Sequence, residues 1–313
     1  MRVLVVTNFV PDEGAPQRGR WVRDQVEEVR RAGVEVEVFD FPPGSRQYIP
    51  ATRRLRRLLR DERFDVVHAH YGLPGWCALL AGARPLLVSF HGTDVRHPVV
   101  GPLSRRLALR ADLVAAVSRA LFDTEAGRPG LPRTPGAAVL PCGPDLSRFR
   151  PIPRSEARAE LGLDPSGRYL LFPANPSRPE KRHDRAVELA RASGVELLTG
   201  GAIEPDAMPL WVNAANAVLV TSDYEGFGMV AVEALACDVP VLSTPVGIAP
   251  YALTGVPGAL CAPFEPASWT AAVRPHLGAA DPRIEGAARA ATLSAKRMAE
   301  RTIEAYRDLL SSA

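Results

Sequence analysis

Two glutamates with seven residues between them, Glu225 and Glu233, lie in the stretch Ser222-Asp223-Tyr224-Glu225-Gly226-Phe227-Gly228-Met229-Val230-Ala231-Val232-Glu233-Ala234-Leu235-Ala236. The stretch follows a strand pattern and opens a helical one. Gly226 and Gly228 allow the backbone to approach a ligand closely. Unpaired N–H groups at the start of the helix, at the positive end of its dipole, suit a phosphate or diphosphate. Glu225 falls in the turn. Glu233 is the only polar side chain between Met229 and Ala236, and a carboxylate on so apolar a helix needs hydrogen-bond donors. A ribose diol would supply two, but a neighbouring arginine or solvent would also serve.

A second cluster, Asn175-Pro176-Ser177-Arg178-Pro179-Glu180-Lys181-Arg182, follows the strand pattern Tyr169 to Phe172. Arg178 and Lys181 could hold a diphosphate and stabilise charge on a departing nucleoside diphosphate. The other reading is a set of exposed basic residues before a helix. Lys181 is one of only two lysines, with Lys296, in a chain whose other basic residues are arginine. A third cluster, Ser89-Phe90-His91-Gly92-Thr93-Asp94, ends a strand, where His91 could donate to a sugar hydroxyl or merely satisfy nearby backbone. His68 and His70 share one face of another strand. An HxH pair lacking a third ligand points to packing or site lining rather than metal.

These clusters need a scaffold that places strand ends side by side. Strand-like runs at Val3 to Thr7, Val34 to Phe39, Asp65 to Ala69, Leu86 to Phe90, Leu113 to Val117 and Ala138 to Leu140 alternate with amphipathic segments. Arg148-Phe149-Arg150-Pro151-Ile152-Pro153 interrupts the pattern. It restarts at Tyr169 to Phe172, Val195 to Thr199, Ala217 to Thr221 and Val239 to Leu242. The expected fold is therefore α/β, two doubly wound Rossmann-like domains facing a cleft, with ligands beyond the carboxyl ends of the strands. The boundary is placed near Pro151, dividing the chain into 1–150 and 151–313. Its 313 residues suit two domains of about 150. The segment Ser294 to Leu310 reads as a closing helix with Met298, Ile303, Tyr306 and Leu310 on or near one face, able to pack back on the first domain.

Composition narrows the function. With 46% hydrophobic and 23% charged residues the chain is globular. No apolar run approaches the ~20 residues of a membrane span. The opening run lacks the pattern of a cleaved leader, and Cys77, Cys142, Cys237 and Cys261 show no CxxC spacing, so a reducing cytoplasmic location is expected. The first 150 residues carry 23 Arg against 16 acids, a net +7; the remainder carries 15 Lys and Arg against 19 acids, a net −4. Much of the positive charge lies in Arg53, Arg54, Arg56, Arg57, Arg60 and Arg63, interleaved with Leu55, Leu58 and Leu59. That segment, Arg53 to Arg60 above all, reads equally as a basic helix for peripheral contact with an anionic membrane or as a solvated face over packed leucines. No nucleic-acid partner is expected. The absence of Asp-x-Asp, GxSxG, a P-loop or an opening GxGxxG argues against a carboxylate-bound metal, a serine hydrolase, a P-loop enzyme and a dinucleotide-dependent dehydrogenase.

Together these residues resemble retaining, nucleotide-sugar-dependent glycosyltransferases of family 4, with the GT-B fold, over nearly the whole chain. The most specific part is Glu225-Gly226-Phe227-Gly228 followed by Glu233. Ser89 to Asp94, Cys142 to Pro151 and Cys237 to Gly247 resemble further family segments. The resemblance implies that Glu225 contacts donor-sugar hydroxyls and that Phe227, Gly228 and Met229 present backbone amides to sugar and phosphate. It also implies that Glu233 holds the ribose, Arg178 and Lys181 bind the diphosphate and His91 touches the sugar. Same-face attack, with the leaving phosphate helping to deprotonate the acceptor, needs neither a protein nucleophile nor a metal, and no cofactor is implied. The expected activity moves a hexose-type sugar from a UDP- or GDP-sugar to a lipid, glycan or small-molecule acceptor, with 1–150 on the acceptor side and 151–313 binding the donor. The rival readings are a sugar-nucleotide epimerase of the same fold and a non-catalytic nucleotide-binding protein. Two segments depart from the family pattern. Pro16-Gln17-Arg18-Gly19 stands where adjacent glycines are usual, leaving Gly19 as the acceptor-side residue, and only Ala202 to Asn216 separate Gly201 from the next strand.

Overall fold

The computed structural model describes residues 1–9, 19–124, 127, 129–278, 280–281 and 283–311. They form two compact units, one of Met1–Cys142 together with the chain from Ala295 onward, the other of Gly143–Ser294.

The first unit is built on a six-stranded sheet: β1 (Arg2–Thr7), β2 (Glu35–Asp40), β3 (Val66–His70), β4 (Leu86–Phe90), β5 (Leu113–Ala116) and β6 (Ala138–Val139). Their order is β2-β1-β3-β4-β5-β6, and every pairing is parallel. The helices are α1 (Arg20–Arg31), α2 (Tyr48–Asp61), α3 (Gly72–Ala81), α4 (Thr93–Arg96), α5 (Val100–Ala108) and a closing helix, Ala295–Ser311. Helices cover both faces of a parallel sheet, so β3 and β4 are buried at every residue. That burial explains why β4 reads as a near-continuous apolar run, and why the two histidines of β3 must find buried partners.

α1 buries Val22, Gln25, Val26 and Val29, an i, i+3, i+4, i+7 stripe. The closing helix packs beside it, and Gln25 Nε2 donates to Thr302 Oγ1 at 3.1 Å. Met298, Thr302, Tyr306 and Leu309 form its buried stripe. Leu310, expected on or near that face, is 39% exposed, because the i+4, i+8, i+11 repeat from Met298 ends on Leu309. Ile303, Tyr306 and Leu309 enter the same core cluster as Val3, Val5 and Val26.

The second unit holds β7 (Tyr169–Phe172), β8 (Glu196–Thr199), β9 (Ala217–Val220), β10 (Val241–Ser243) and β11 (Leu260–Cys261), all parallel in the order β11-β10-β9-β7-β8. Its helices are α6 (Arg154–Leu161), α7 (His183–Ser193), α8 (Met208–Ala214), α9 (Met229–Ala236), α10 (Ala249–Leu253), α11 (Pro266–Gly278) and α12 (Ala287–Ala291). Leu170, Phe172, Leu219 and Leu242 meet the fully buried Trp269 of α11. The proline-containing segment before α6 is pinned within this unit: Ile152 N donates to Asn213 Oδ1 at 2.9 Å, and Arg283 Nη2 donates to Ile152 O at 2.6 Å. All ten expected strands form, with ends shifted by at most two residues, and β11 is additional. The short interval before β9 carries α8 and no strand.

One bond ties the closing helix to the central strands: Tyr306 Oη and His68 Nδ1 lie 2.7 Å apart, both buried. Tyr306→Phe strands a buried imidazole nitrogen, which costs about 1–3 kcal/mol. Denaturant unfolding should show the transition of the first unit moving to lower concentration, and an unmoved midpoint would refute this role for the bond.

Candidate active site

In the second unit the strand order reverses between β7 and β9, so the loops leaving their carboxyl ends diverge and open a crevice. The loop after β7 turns through Pro179–Lys181 and delivers Lys181, and the loop after β9 delivers Glu225. Lys181 Nζ donates to Glu225 Oε1 at 2.6 Å and to Oε2 at 2.7 Å, and Ser222 Oγ donates to Oε1 at 2.7 Å. Each charged side chain is only 13% exposed, an environment in which neither charge is tolerable without the other.

The two loops are joined elsewhere as well. Asp223 N donates to Glu180 O at 2.9 Å, and Thr221 Oγ1 lies 2.9 Å from Lys181 O and 3.0 Å from Arg182 O. Arg182 and Arg185 both reach Asp223, at 3.2 and 2.9 Å. Thr244 Oγ1, just after β10, lies 2.6 Å from Ser222 O. The placement of Lys181 against Glu225 is therefore fixed by backbone contacts around it.

Gly226 and Phe227 lead into α9 through Gly228, whose φ of 87° is left-handed. No side chain caps α9, and Ala231 N already donates to Gly228 O at 3.1 Å, so the first-turn N–H groups of Met229 and Val230 are the ones open to a ligand oxygen. Phe227 is buried, and its carbonyl accepts from Ile248 N at 2.7 Å. Gly247, at φ 56°, passes so close to that carbonyl that a Cβ would overlap it. Glu233 sits one turn along α9 from Met229 on the same half-buried face. Its charge adds to the burial that pushes the Cys237 thiol up to about 12. Arg178 is half exposed and bonds Glu180, Nε to Oε1 at 2.8 Å, at the edge of a shallow depression that Arg182 and Asp223 also line. Of the residues expected on the donor side, Lys181 and Glu225 are brought into contact, whereas Arg178 is engaged by its own loop.

In the first unit His91 follows β4, and its Nε2 lies 2.9 Å from His70 Nδ1 at the end of β3. Tyr71 stacks on the His91 ring at 4.4 Å, with Trp21 at 6.2 Å. Tyr71 holds a positive φ of 73°, a strained conformation for a bulky residue. The loop is anchored by Asp94. Its Oδ1 accepts from His91 N at 3.0 Å and Gly92 N at 2.9 Å, and its Oδ2 accepts from Gly72 N at 3.1 Å. Burial pushes the Asp94 carboxyl up to about 6 against those bonds. Burial also lowers all three histidines: His70 to about 3, His68 and His91 well below the ordinary range. Gly19 is the N-cap of α1 at φ 65°, where a Cβ would fall on the Phe9 carbonyl. Pro16, Gln17 and Arg18 lie outside the described residues.

Ser222, Tyr71 and Asp94 were not singled out in the sequence as site residues. A serine three positions before a turn glutamate was a readable signal for Ser222. The positive φ of Tyr71 and the three backbone donors of Asp94 have no sequence signature.

Residues 1–148 match the family model described as Glycosyltransferase Family 4, and residues 171–278 match that described as Glycosyl transferases group 1. A D-inositol 3-phosphate glycosyltransferase of Segniliparus rotundus is 32% identical over 285 residues, covering 75% of this chain and 63% of that protein. The protein of the same name from Nocardia farcinica is 30% identical, with 78% and 66% covered. The chain thus spans a little under two thirds of the length of these relatives. Among solved structures, a sucrose-phosphate synthase from Thermosynechococcus elongatus superposes with a TM-score of 0.71 at 18% identity, covering 100% of this chain and 99% of that one. Anabaena Alr3699/HepE in complex with UDP and glucose superposes at 0.68 and 20%, with the same coverage. At these identities the superpositions show a shared fold.

The buried histidines set the acid response of the first unit. Each has a lowered folded pKa, so its contribution is complete above its unfolded value near 6.5 and is lost as pH falls. The slope is about 1.4 kcal/mol per pH unit for each histidine held neutral. Asp94 is raised, so between about pH 4 and 6 it acts oppositely. With three histidines against one carboxyl, thermal melts should fall steadily below pH 6.5. His70→Asn should flatten that slope by about one proton, and an unchanged slope would refute the assignment.

Proposed function

Since the chain belongs to glycosyltransferase family 4 and has the GT-B fold, we propose that it transfers a hexose-type sugar, with retention, from a UDP- or GDP-sugar to a lipid, glycan or small-molecule acceptor. The observation that carries this reading is the Lys181–Glu225–Ser222 cluster beside the uncapped start of α9. An ammonium has three N–H donors, and Lys181 uses two on Glu225, which leaves one for a diphosphate oxygen. Glu225 takes hydrogen bonds from Lys181 and Ser222, so its lone pairs are poorly placed for attack on an anomeric carbon and better placed to orient sugar hydroxyls. That favours same-face attack without a covalent enzyme intermediate. Phe227, Gly228 and Met229 would meet phosphate and sugar through backbone N–H groups, Glu233 the ribose diol, and Arg178 the diphosphate after release from Glu180. Charge on the departing diphosphate is then met by Lys181, Arg178 and the α9 dipole rather than by a metal.

The relatives' names make a phosphorylated cyclitol one acceptor to assay, with D-inositol 3-phosphate as probe. The basic helix supports work at the cytoplasmic face of an anionic membrane. α2 turns Ala51 and Leu55 inward and exposes Arg53, Arg54, Arg57 and Arg60, with Ile49 66% exposed at its start. No helix among the described residues is long and apolar enough to cross a membrane.

Transfer should proceed from one UDP- or GDP-sugar in the presence of EDTA. Glu225→Ala and Lys181→Ala should each lower kcat/KM at least about 100-fold, the scale of a lost transition-state contact. Unchanged transfer in both would remove the site assignment, and conversion of the donor without acceptor would indicate an epimerase. Separately, Arg53→Glu, Arg57→Glu and Arg60→Glu together should abolish sedimentation with phosphatidylserine vesicles, each arginine contributing about 1 kcal/mol. Equal sedimentation of wild type and variant would place the membrane contact elsewhere.

A further inference from the structure

The two polar side chains of β3 that share a sheet face differ in how they are satisfied. His68 is engaged at both nitrogens, Nδ1 with Tyr306 Oη at 2.7 Å and Nε2 with Ser89 Oγ at 2.8 Å. His70 is engaged at one. Its Nδ1 lies 2.9 Å from His91 Nε2, while its Nε2 is buried without a protein hydrogen-bond partner. His70 lines a recess about the size of a single water, together with Trp21, Gln25, His91 and Cys142. The indole N–H of Trp21, a residue of the same lining, is also buried. It lies near enough to the Tyr71 hydroxyl to interact weakly, but meets no acceptor in hydrogen-bonding geometry.

Both imidazoles are neutral near pH 7, so a single proton lies between His70 Nδ1 and His91 Nε2. If His91 donated it, His70 would carry its own proton on Nε2, a second buried N–H with no protein acceptor, and one water would have to accept from both it and the indole. Buried N–H groups without an acceptor are rare, and an unused lone pair costs less. If His70 donates, its Nε2 is an acceptor, and one water in the recess could accept from Trp21 and donate to His70. The second arrangement asks of that water one accepted and one donated hydrogen bond rather than two accepted ones, so fewer hydrogens are left without an acceptor.

We propose that His70 is a positioning residue: by donating from Nδ1 to His91 Nε2 it fixes His91 as the tautomer protonated at Nδ1, so that the ligand-facing nitrogen of His91 is a hydrogen-bond donor. The tautomer of an imidazole is set by the partner of its other nitrogen. Tyr71, stacked on the His91 ring, holds the plane in which that donor points. A donor at this position selects a ligand oxygen with a lone pair, hydroxyl or carboxylate, and disfavours a group that can only donate. The catalytic consequence rests on the proposed reading of His91 as a sugar contact, but the tautomer itself does not.

Long-range 1H–15N correlation spectra of 15N-histidine-labelled protein test it without substrate. His91, assigned by its loss in His91→Gln, should show a protonated Nδ1 and an unprotonated Nε2; the reverse pattern would overturn the proposal. His70→Asn keeps an amide N–H where Nδ1–H was and should preserve the His91 pattern and transfer. His70→Leu removes the donor, should shift His91 toward the Nε2-protonated form and should lower kcat about tenfold, the scale of one hydrogen bond. If His70→Leu does not fold, the wild-type and His70→Asn spectra still decide the point. Absence of transfer by wild type with every donor would defeat the transferase reading while leaving the tautomer result to stand or fall on the spectra.

Discussion

The ion pair between Lys181 and Glu225 is the constraint around which the second unit is arranged. Two oppositely charged groups at 13% exposure cannot move independently, because separating them leaves two poorly solvated charges. Their loops leave β7 and β9, neighbours in the sheet where the order reverses, so the pair closes the crevice that a parallel sheet opens there. The surrounding bonds, from Asp223 N to Glu180 O and from Thr221 and Thr244 to loop carbonyls, hold the backbone so that the pair forms without searching. Such preorganisation is what electrostatic stabilisation of a departing phosphate requires, since dipoles already aligned need not reorganise during the reaction.

The first unit uses a different chemistry for a comparable purpose. Its central strands β3 and β4, buried at every residue, carry His68, His70 and Ser89, where a charged imidazole is excluded and a neutral one must find partners. The result is a row of neutral donors and acceptors running from the Tyr306 hydroxyl to His91. Asp94 spends its lone pairs on backbone N–H groups rather than on the histidines. The loop shape and the imidazole protonation are thus controlled by separate groups.

Much of this architecture was legible in the sequence because parallel strands buried on both faces leave continuous apolar runs. β4, β7 and β9 announce themselves that way, β4 with the single interruption of Ser89, whereas β3 carries two histidines among its apolar residues. β11 does not, since Leu260 and Cys261 are too few to form a run. The closing helix was legible, but the choice between Leu309 and Leu310 depends on which neighbour the stripe meets, here α1 and the strands beneath it. Lys181 and Glu225 were each singled out from their own loops. Their contact was not, because 44 residues separate them and only the order of β7 and β9 brings them together. The meeting of His70 with His91 was hidden for the same reason: it depends on the register that sets His70 against Ser89.

The division of the chain has a consequence for how it comes into being. The second unit is continuous, Gly143–Ser294, whereas the first takes its last helix from the far end of the chain. During synthesis the amino-terminal sheet therefore emerges with part of its core, the places of Ile303, Tyr306 and Leu309, still untranslated. Domains commonly fold in the order in which they leave the ribosome. Here the second unit has all of its core residues before the first unit has the last of its own. His68 therefore gains its bond to the Tyr306 hydroxyl only after the whole of the second unit has been synthesised.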